Sequence, residues 1–136
     1  MTGINTLRVA AILLTRNGCI FVAKRSAHSS LPGFWEFPGG KIEPEETPQD
    51  CIVREIHEEF GMSVALGEHF ITVYQDTDLF RLELVCYFGT SEEQKPAHLN
   101  DHDEYQWIKI QQLRNLDLAP ADVEVADQLI AKWKPL

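Results

Sequence analysis

Apolar positions along the chain follow two periods, one of two residues and one close to four, and the change between them marks the elements. Residues 7–14 are almost continuously apolar and read as a strand. Asn17-Gly18 is a hairpin signal, and residues 20–23 return as the partner strand. Residues 26–34, with Ser29-Ser30-Leu31-Pro32-Gly33, read as a loop, and a short strand over 35–37 enters Pro38-Gly39-Gly40. The period then becomes helical. Thr47, Pro48 and Asp50 form a capped helix start, Ile52, Val53, Ile56 and Phe60 an apolar arc, and Gly61 a stop, predicting a helix over about 48–60. Residues 63–74 read as one or two strands. Residues 80–88 alternate, with Phe80, Leu82, Leu84, Cys86 and Phe88 on one face, as in a half-buried strand. A polar loop over 92–103, a strand over 105–110 and a short helix or turn over 111–118 follow. Pro120 opens a last helix, in which Val123, Ala126, Ile130 and Trp133 recur at helical spacing. Strands interleaved with two main helices predict an α+β domain, here a single unit over 1–136.

Composition narrows the class. The 136 residues are 44% hydrophobic and 24% charged, the balance of a soluble globular domain with a real core. No apolar run reaches membrane-spanning length, and the N-terminus lacks the basic-then-apolar pattern of a secretion signal. Cys19, Cys51 and Cys86 are widely spaced without a CxxC pair, which argues against a disulfide framework or zinc site and for a reducing, cytoplasmic location. His57 reads as structural or solvent-facing. A net charge of −9 excludes a broad surface for polymeric nucleic acid.

The charge concentrates where chemistry is expected. On a helix Glu55, Glu58 and Glu59 share a face, so their carboxylates repel one another. A hard divalent cation relieves that repulsion, and Mg²⁺ or Mn²⁺ prefers such oxygen ligands. An acidic protein then handles an anionic substrate through the cation. Glu46, in the loop before the helix, is placed to pair with Arg54.

Gly40, five residues, Glu46, seven residues, Arg54-Glu55-Ile56, one residue, Glu58-Glu59, one residue, Gly61-Met62 matches the Nudix box at every specified position. The likeness runs further, through Phe21-Val22-Ala23-Lys24-Arg25, Gly33-Phe34-Trp35-Glu36-Phe37-Pro38-Gly39-Gly40, Asp101-His102 ahead of Trp107, and Leu118-Ala119-Pro120-Ala121-Asp122. The chain resembles the MutT branch of the Nudix hydrolases, and within it the bacterial CTP pyrophosphohydrolase type and the 8-oxo-dGTP diphosphatases. That resemblance implies the Nudix fold, a mixed β-sheet sandwiched between helices. It implies an Mg²⁺-dependent (or Mn²⁺-dependent) nucleoside triphosphate pyrophosphohydrolase acting in nucleotide-pool sanitation and DNA repair, with a nucleoside monophosphate and pyrophosphate as products. Its metal ligands would be Glu55, Glu58, Glu59 and the Gly39 carbonyl, with Asp101 as a further ligand or base. Glu55, Glu59 and Asp101 are the candidate proton acceptors, with Arg54 beside them in the catalytic group. Arg25 and Lys41 would meet phosphate, Phe37 would wall the base pocket, and Asp122 would contact the base. Gly40, Glu46 and Gly61 are the structural positions of the motif.

Relatives of the MutT type carry asparagine where this chain has Asp122. An ionised aspartate only accepts hydrogen bonds, so it favours bases that present N–H donors, cytosine or oxidised guanine, over uracil and thymine. Competing readings are a Nudix hydrolase of ADP-ribose, dinucleoside polyphosphates or coenzyme A, and a non-catalytic nucleotide-binding module. The first lacks support from a proline soon after the box, since the next is Pro96, and the second normally loses box glutamates that this chain keeps. The recognition domain of an adenine glycosylase lacks its glycosylase partner. The sequence is compatible with a monomer or a homodimer.

Overall fold

The computed structural model describes residues 5–133, so the outermost ends of the expected 1–136 unit lie outside the described residues. In chain order it contains β1 (Thr6–Arg16), β2 (Cys19–Arg25), β3 (Trp35–Glu36), β4 (Gly39–Lys41), α1 (Pro48–Phe60), β5 (Ala65–Asp76), β6 (Arg81–Thr90), β7 (His102–Lys109), a 3₁₀ helix (Ile110–Asn115) and α2 (Pro120–Lys132). The strands form a mixed sheet in the order β3-β2-β1-β6-β5, with β4 added to β1 and β7 to β2. β1 and β6 run parallel, and the other pairings are antiparallel. Among the described residues no helix is long and apolar enough to cross a membrane.

Two cores lie on opposite faces of this sheet. Ala10, Ile12 and Leu14 of β1 pack with Cys51, Ile52, Ile56 and Phe60 of α1. The alternate residues Ala11 and Leu13 pack with Val125, Ala126 and Leu129 of α2 and with Ile110 and Leu113 of the 3₁₀ helix. A strand covered on both faces must be apolar at successive positions, which explains the unbroken run in β1. The same cause corrects the half-buried reading of 80–88. Leu84, Val85 and Cys86 are all buried, so β6 is covered on both faces at these positions.

Local signals placed most elements, with four corrections. β4 was not expected; it is too short to show a period and forms because Gly39 and Gly40 can lie flat against Ala11 and Ala10. Val53 is 45% exposed, and Cys51 takes its place in the buried arc of α1. In α2 the buried face is Asp122, Val125, Ala126 and Leu129, with Val123, Ile130 and Trp133 only flanking it. The loop expected over 92–103 stops short, because His102 and Asp103 already belong to β7, with His102 opposite Arg25.

Candidate active site

The helix α1 begins where the sequence places it. Thr47 accepts a hydrogen bond from the Asp50 amide at 3.0 Å, Pro48 sits in the first turn, and Gly61 closes the helix at φ 63°. One face is anchored in the core by Ile52, Ile56 and Phe60. Glu55, Glu58 and Glu59 are thereby directed to the other side, where Gly40 of β4 lies against the Glu55 carboxyl. A Cβ on Gly40 would overlap that carboxyl, and one on Gly39 would collide with the Ala10–Ala11 backbone. The paired glycines are the cost of bringing strand and helix this close.

Arg54 organises the carboxylates. It binds Glu46 with Nε and Nη2, and its Nη1 donates to Glu55 Oε1 at 2.9 Å and Glu58 Oε2 at 3.3 Å. The guanidinium holds Glu46 down at about 2, with help from the Glu43 amide. Burial pushes the Glu55 carboxyl up despite Arg54 beside it. Glu59 is pushed up to about 7, first by burial and then by the neighbouring Asp101 carboxyl. Among the described residues, no three His, Cys, Asp or Glu side chains already converge on a single ion position. Glu55 and Glu58 lean toward Arg54 instead. The donor set is nonetheless that of a hard cation: all oxygen, anionic, half-buried and short of positive charge at Glu59, with a cleft that only glycine at position 40 leaves open. The residues fit Mg²⁺ or Mn²⁺.

Beside the cluster lies a cavity of about 580 Å³. Its apolar wall comes from Val9, Leu82 and Leu84, and Gly39, Gly40 and Lys41 form the side nearest α1. Arg25, Glu36, Phe37 and Asp122 also line it. Phe37 is 3% exposed, and its amide donates to Asp122 Oδ2 at 3.0 Å. Arg25 is not a free surface side chain: Nη1 donates to Glu36 Oε1 at 2.9 Å, and Nη2 to Ser30 Oγ at 3.0 Å. Lys41 is exposed at the mouth.

Asp122 departs from its expected state. Full burial, with the Glu36 charge adding to it, pushes its carboxyl well above the usual carboxylate range, and Arg25 and the Phe37 amide only partly oppose this. A neutral carboxyl both donates and accepts, as an amide does. The acceptor-only argument against uracil and thymine assumed an ionised group, and this shift runs toward the neutral form, so that argument loses its support.

The structure also recruits residues that carried no sequence argument of their own. Glu36 joins Arg25 through one oxygen and His102 through the other, where His102 Nε2 donates to Oε2 at 2.8 Å. His102 is 8% exposed and stacks on Phe60, and its Nδ1 is buried without a partner. An unprotonated Nδ1 fits that apolar setting, since an unpaired N–H would be the costlier choice. Both residues stood within the quoted stretches around positions 36 and 102. Their partnership was hidden because it joins β3 to β7 across the sheet. Asp101 is exposed, and its amide donates to Glu59 Oε2 at 3.2 Å.

A family model of the NUDIX domain matches residues 5–129. The protein belongs to the Nudix family. This Nudix hydrolase is 31% identical to the CTP pyrophosphohydrolase of Escherichia coli over 130 residues, spanning 92% of each chain. It is 40% identical to the 8-oxo-dGTP diphosphatase of Proteus vulgaris over 67 residues, which span 49% of this chain and 60% of that one. Among solved structures, the MutT protein of Staphylococcus aureus superimposes with a TM-score of 0.77 at 32% identity, covering 96% of this chain and all of the other. The mixed sheet between α1 and α2 is the Nudix α+β fold.

Proposed function

We propose that this Nudix hydrolase is a divalent-cation-dependent nucleoside triphosphate pyrophosphohydrolase of nucleotide-pool sanitation. It would take CTP, 5-substituted dCTP or 8-oxo-dGTP and release a monophosphate and pyrophosphate. One observation carries this reading: Gly39 and Gly40 line the cavity that holds Asp122 and Arg25, and Gly40 abuts the Glu55 carboxyl. A base seated beside Asp122 and Phe37 therefore sends its phosphates toward α1. The names of the relatives above point to the same substrate class.

Each residue then has a task. Phe37 offers an apolar wall to the base, and Asp122, steadied by the Phe37 amide, keeps one oxygen for the base edge. Arg25, braced by Glu36 and Ser30, turns remaining N–H groups to the nucleotide, and Lys41 adds charge at the mouth. Glu55, Glu58, Glu59, the Gly39 carbonyl and Asp101 would hold Mg²⁺ or Mn²⁺. Such an ion, when bound, supplies an activated water and offsets the charge on the departing pyrophosphate. Arg54 orients Glu55 and Glu58, and Glu55, Glu59 and Asp101 are the carboxylates available to take a proton.

The test is a panel of normal and oxidised nucleoside triphosphates, with ADP-ribose and diadenosine polyphosphates, assayed with Mg²⁺ for pyrophosphate and phosphate. Hydrolysis in ¹⁸O-labelled water locates the phosphorus attacked. Pyrophosphate as first product, with cytosine or oxidised guanine nucleotides leading the panel, is the expected result. Orthophosphate as first product, or a preference for ADP-ribose, refutes the assignment.

A further inference from the structure

The C-terminus of α1 should leave its last carbonyls without helical partners. Gly61 supplies the usual left-handed cap, its amide donating to the His57 carbonyl at 3.0 Å. The remaining carbonyls are met from a distant segment, residues 97–101. The Ala97 amide donates to the Phe60 carbonyl at 2.8 Å and the Asn100 amide to the Glu59 carbonyl at 3.2 Å. The Glu58 carbonyl accepts from two side chains at once, Asn100 Nδ2 at 2.7 Å and His98 Nε2 at 2.9 Å. This strap lies so close that a Cβ on Gly61 would press on Ala97 and His98. Gly61 thus satisfies two demands, a left-handed backbone and room for the strap.

The strap holds the Asp101 backbone in one place. Its N–H donates to Glu59 Oε2 at 3.2 Å, and its carbonyl accepts from the Ser26 amide at 3.1 Å, next to Arg25. The backbone of this one residue therefore links the carboxylate helix to the end of the strand that carries Arg25. A backbone N–H aimed at a carboxylate oxygen fixes the carboxylate's rotation, as outer hydrogen bonds do for metal ligands.

We propose that His98 and Asn100 are positioning residues: by clamping the Glu58 carbonyl they hold the Asp101 amide on Glu59 and so preset that carboxylate for its cation. The proposal rests on the reading of Glu55 and Glu59 as cation ligands. It does not depend on the Asp101 side chain, because any residue except proline at 101 supplies the same amide.

The test uses the full chain, with Mn²⁺ binding followed by electron paramagnetic resonance without nucleotide, beside steady-state kinetics. The double variant His98→Ala/Asn100→Ala should bind Mn²⁺ about 10- to 10²-fold more weakly, the usual effect of losing a ligand's outer partner. Its kcat should fall with little change in KM, and amide exchange at Asp101 should quicken. Leu113→Ala, a buried residue of the 3₁₀ helix remote from α1 in the opposite core, controls for lost stability and should leave Mn²⁺ affinity unchanged. Should the double variant fail to fold, Asn100→Asp is read the same way, since it keeps the shape and turns an acceptor toward the carbonyl. Mn²⁺ affinity at the wild-type level in the folded clamp variant overturns the proposal, as does equal weakening by Leu113→Ala. Glu55→Gln and Glu59→Gln separate the two ideas. If they too leave Mn²⁺ binding intact, the cation reading itself has failed; if only they weaken it, the clamp has failed alone.

Discussion

Arg54 grips Glu46 through two parallel hydrogen bonds, Nε to Oε2 at 2.6 Å and Nη2 to Oε1 at 2.9 Å. The fork is two-pronged, so it fixes direction as well as distance, and it ties the loop before α1 to the middle of the helix. The same guanidinium reaches Glu55 and Glu58, so it sets their starting positions.

A lysine at this position keeps the charge but loses the fork. Arg54→Lys should therefore lower both the melting temperature and kcat. The linkage with Glu46 has a definite sign. Its folded value is depressed to about 2 from 4.5, so the pair contributes stability that is fully present above the unfolded value and is lost as pH falls toward 2. Thermal melts from pH 6 down to pH 2 should show the wild type losing more stability than Glu46→Gln. Parallel curves would mean the pair contributes nothing.

Removing any one of the carboxylates Glu55, Glu58 or Glu59 as glutamine should lower kcat by at least about 10²-fold, the lower range for losing a strong electrostatic contributor. Chelation with EDTA should abolish turnover, and added Mg²⁺ should restore it. The apoprotein should not lose stability in Glu59→Gln, since a carboxyl raised to about 7 by burial and Asp101 gains from being uncharged. Wild-type turnover in any of the three variants removes that residue from the site.

Glu59 also makes the apoprotein sensitive to rising pH. Its folded value lies above its unfolded value, so its contribution is present at low pH and lost as pH rises through about 7. The melting temperature of the metal-free protein should fall between about pH 4.5 and pH 7 and level off above that. Mg²⁺ should cancel the fall, because bound cation favours the ionised carboxylate. A flat profile without metal, or the same slope with it, counts against the Glu59–Asp101 pairing.

Asp122→Asn is the conservative change if the carboxyl is neutral, since an amide likewise donates and accepts. It should leave kcat/KM for the preferred nucleotide within about threefold, a difference of under 1 kcal/mol. Asp122→Ala should lower kcat/KM by about 10- to 10²-fold and cost roughly 1–3 kcal/mol of stability, because the Phe37 amide is left buried without an acceptor. A collapse of activity in Asp122→Asn would show that the ionised form is the working one.

How much could be read from residues alone depended on how local each cause was. The α1 helix, its Thr47 cap, its Gly61 stop and its glutamate face were legible because their determinants lie within about four residues of one another. The Asn17-Gly18 hairpin was legible for the same reason, as both turn residues must take positive φ. The upward shift of the Asp122 carboxyl was not, because it follows from burial in the packed fold and from Glu36, far away in sequence. Nor was β4, whose three residues exist as a strand only because β1 offers an edge. The partnership of Glu36 with His102, and the strap from His98 to Asp101, join segments separated by 40 residues or more. Sequence determined which groups this protein owns and the helix that displays its carboxylates. Tertiary structure decided which of them meet, because hydrogen bonding and desolvation depend on distances that only the packed sheet and helices fix.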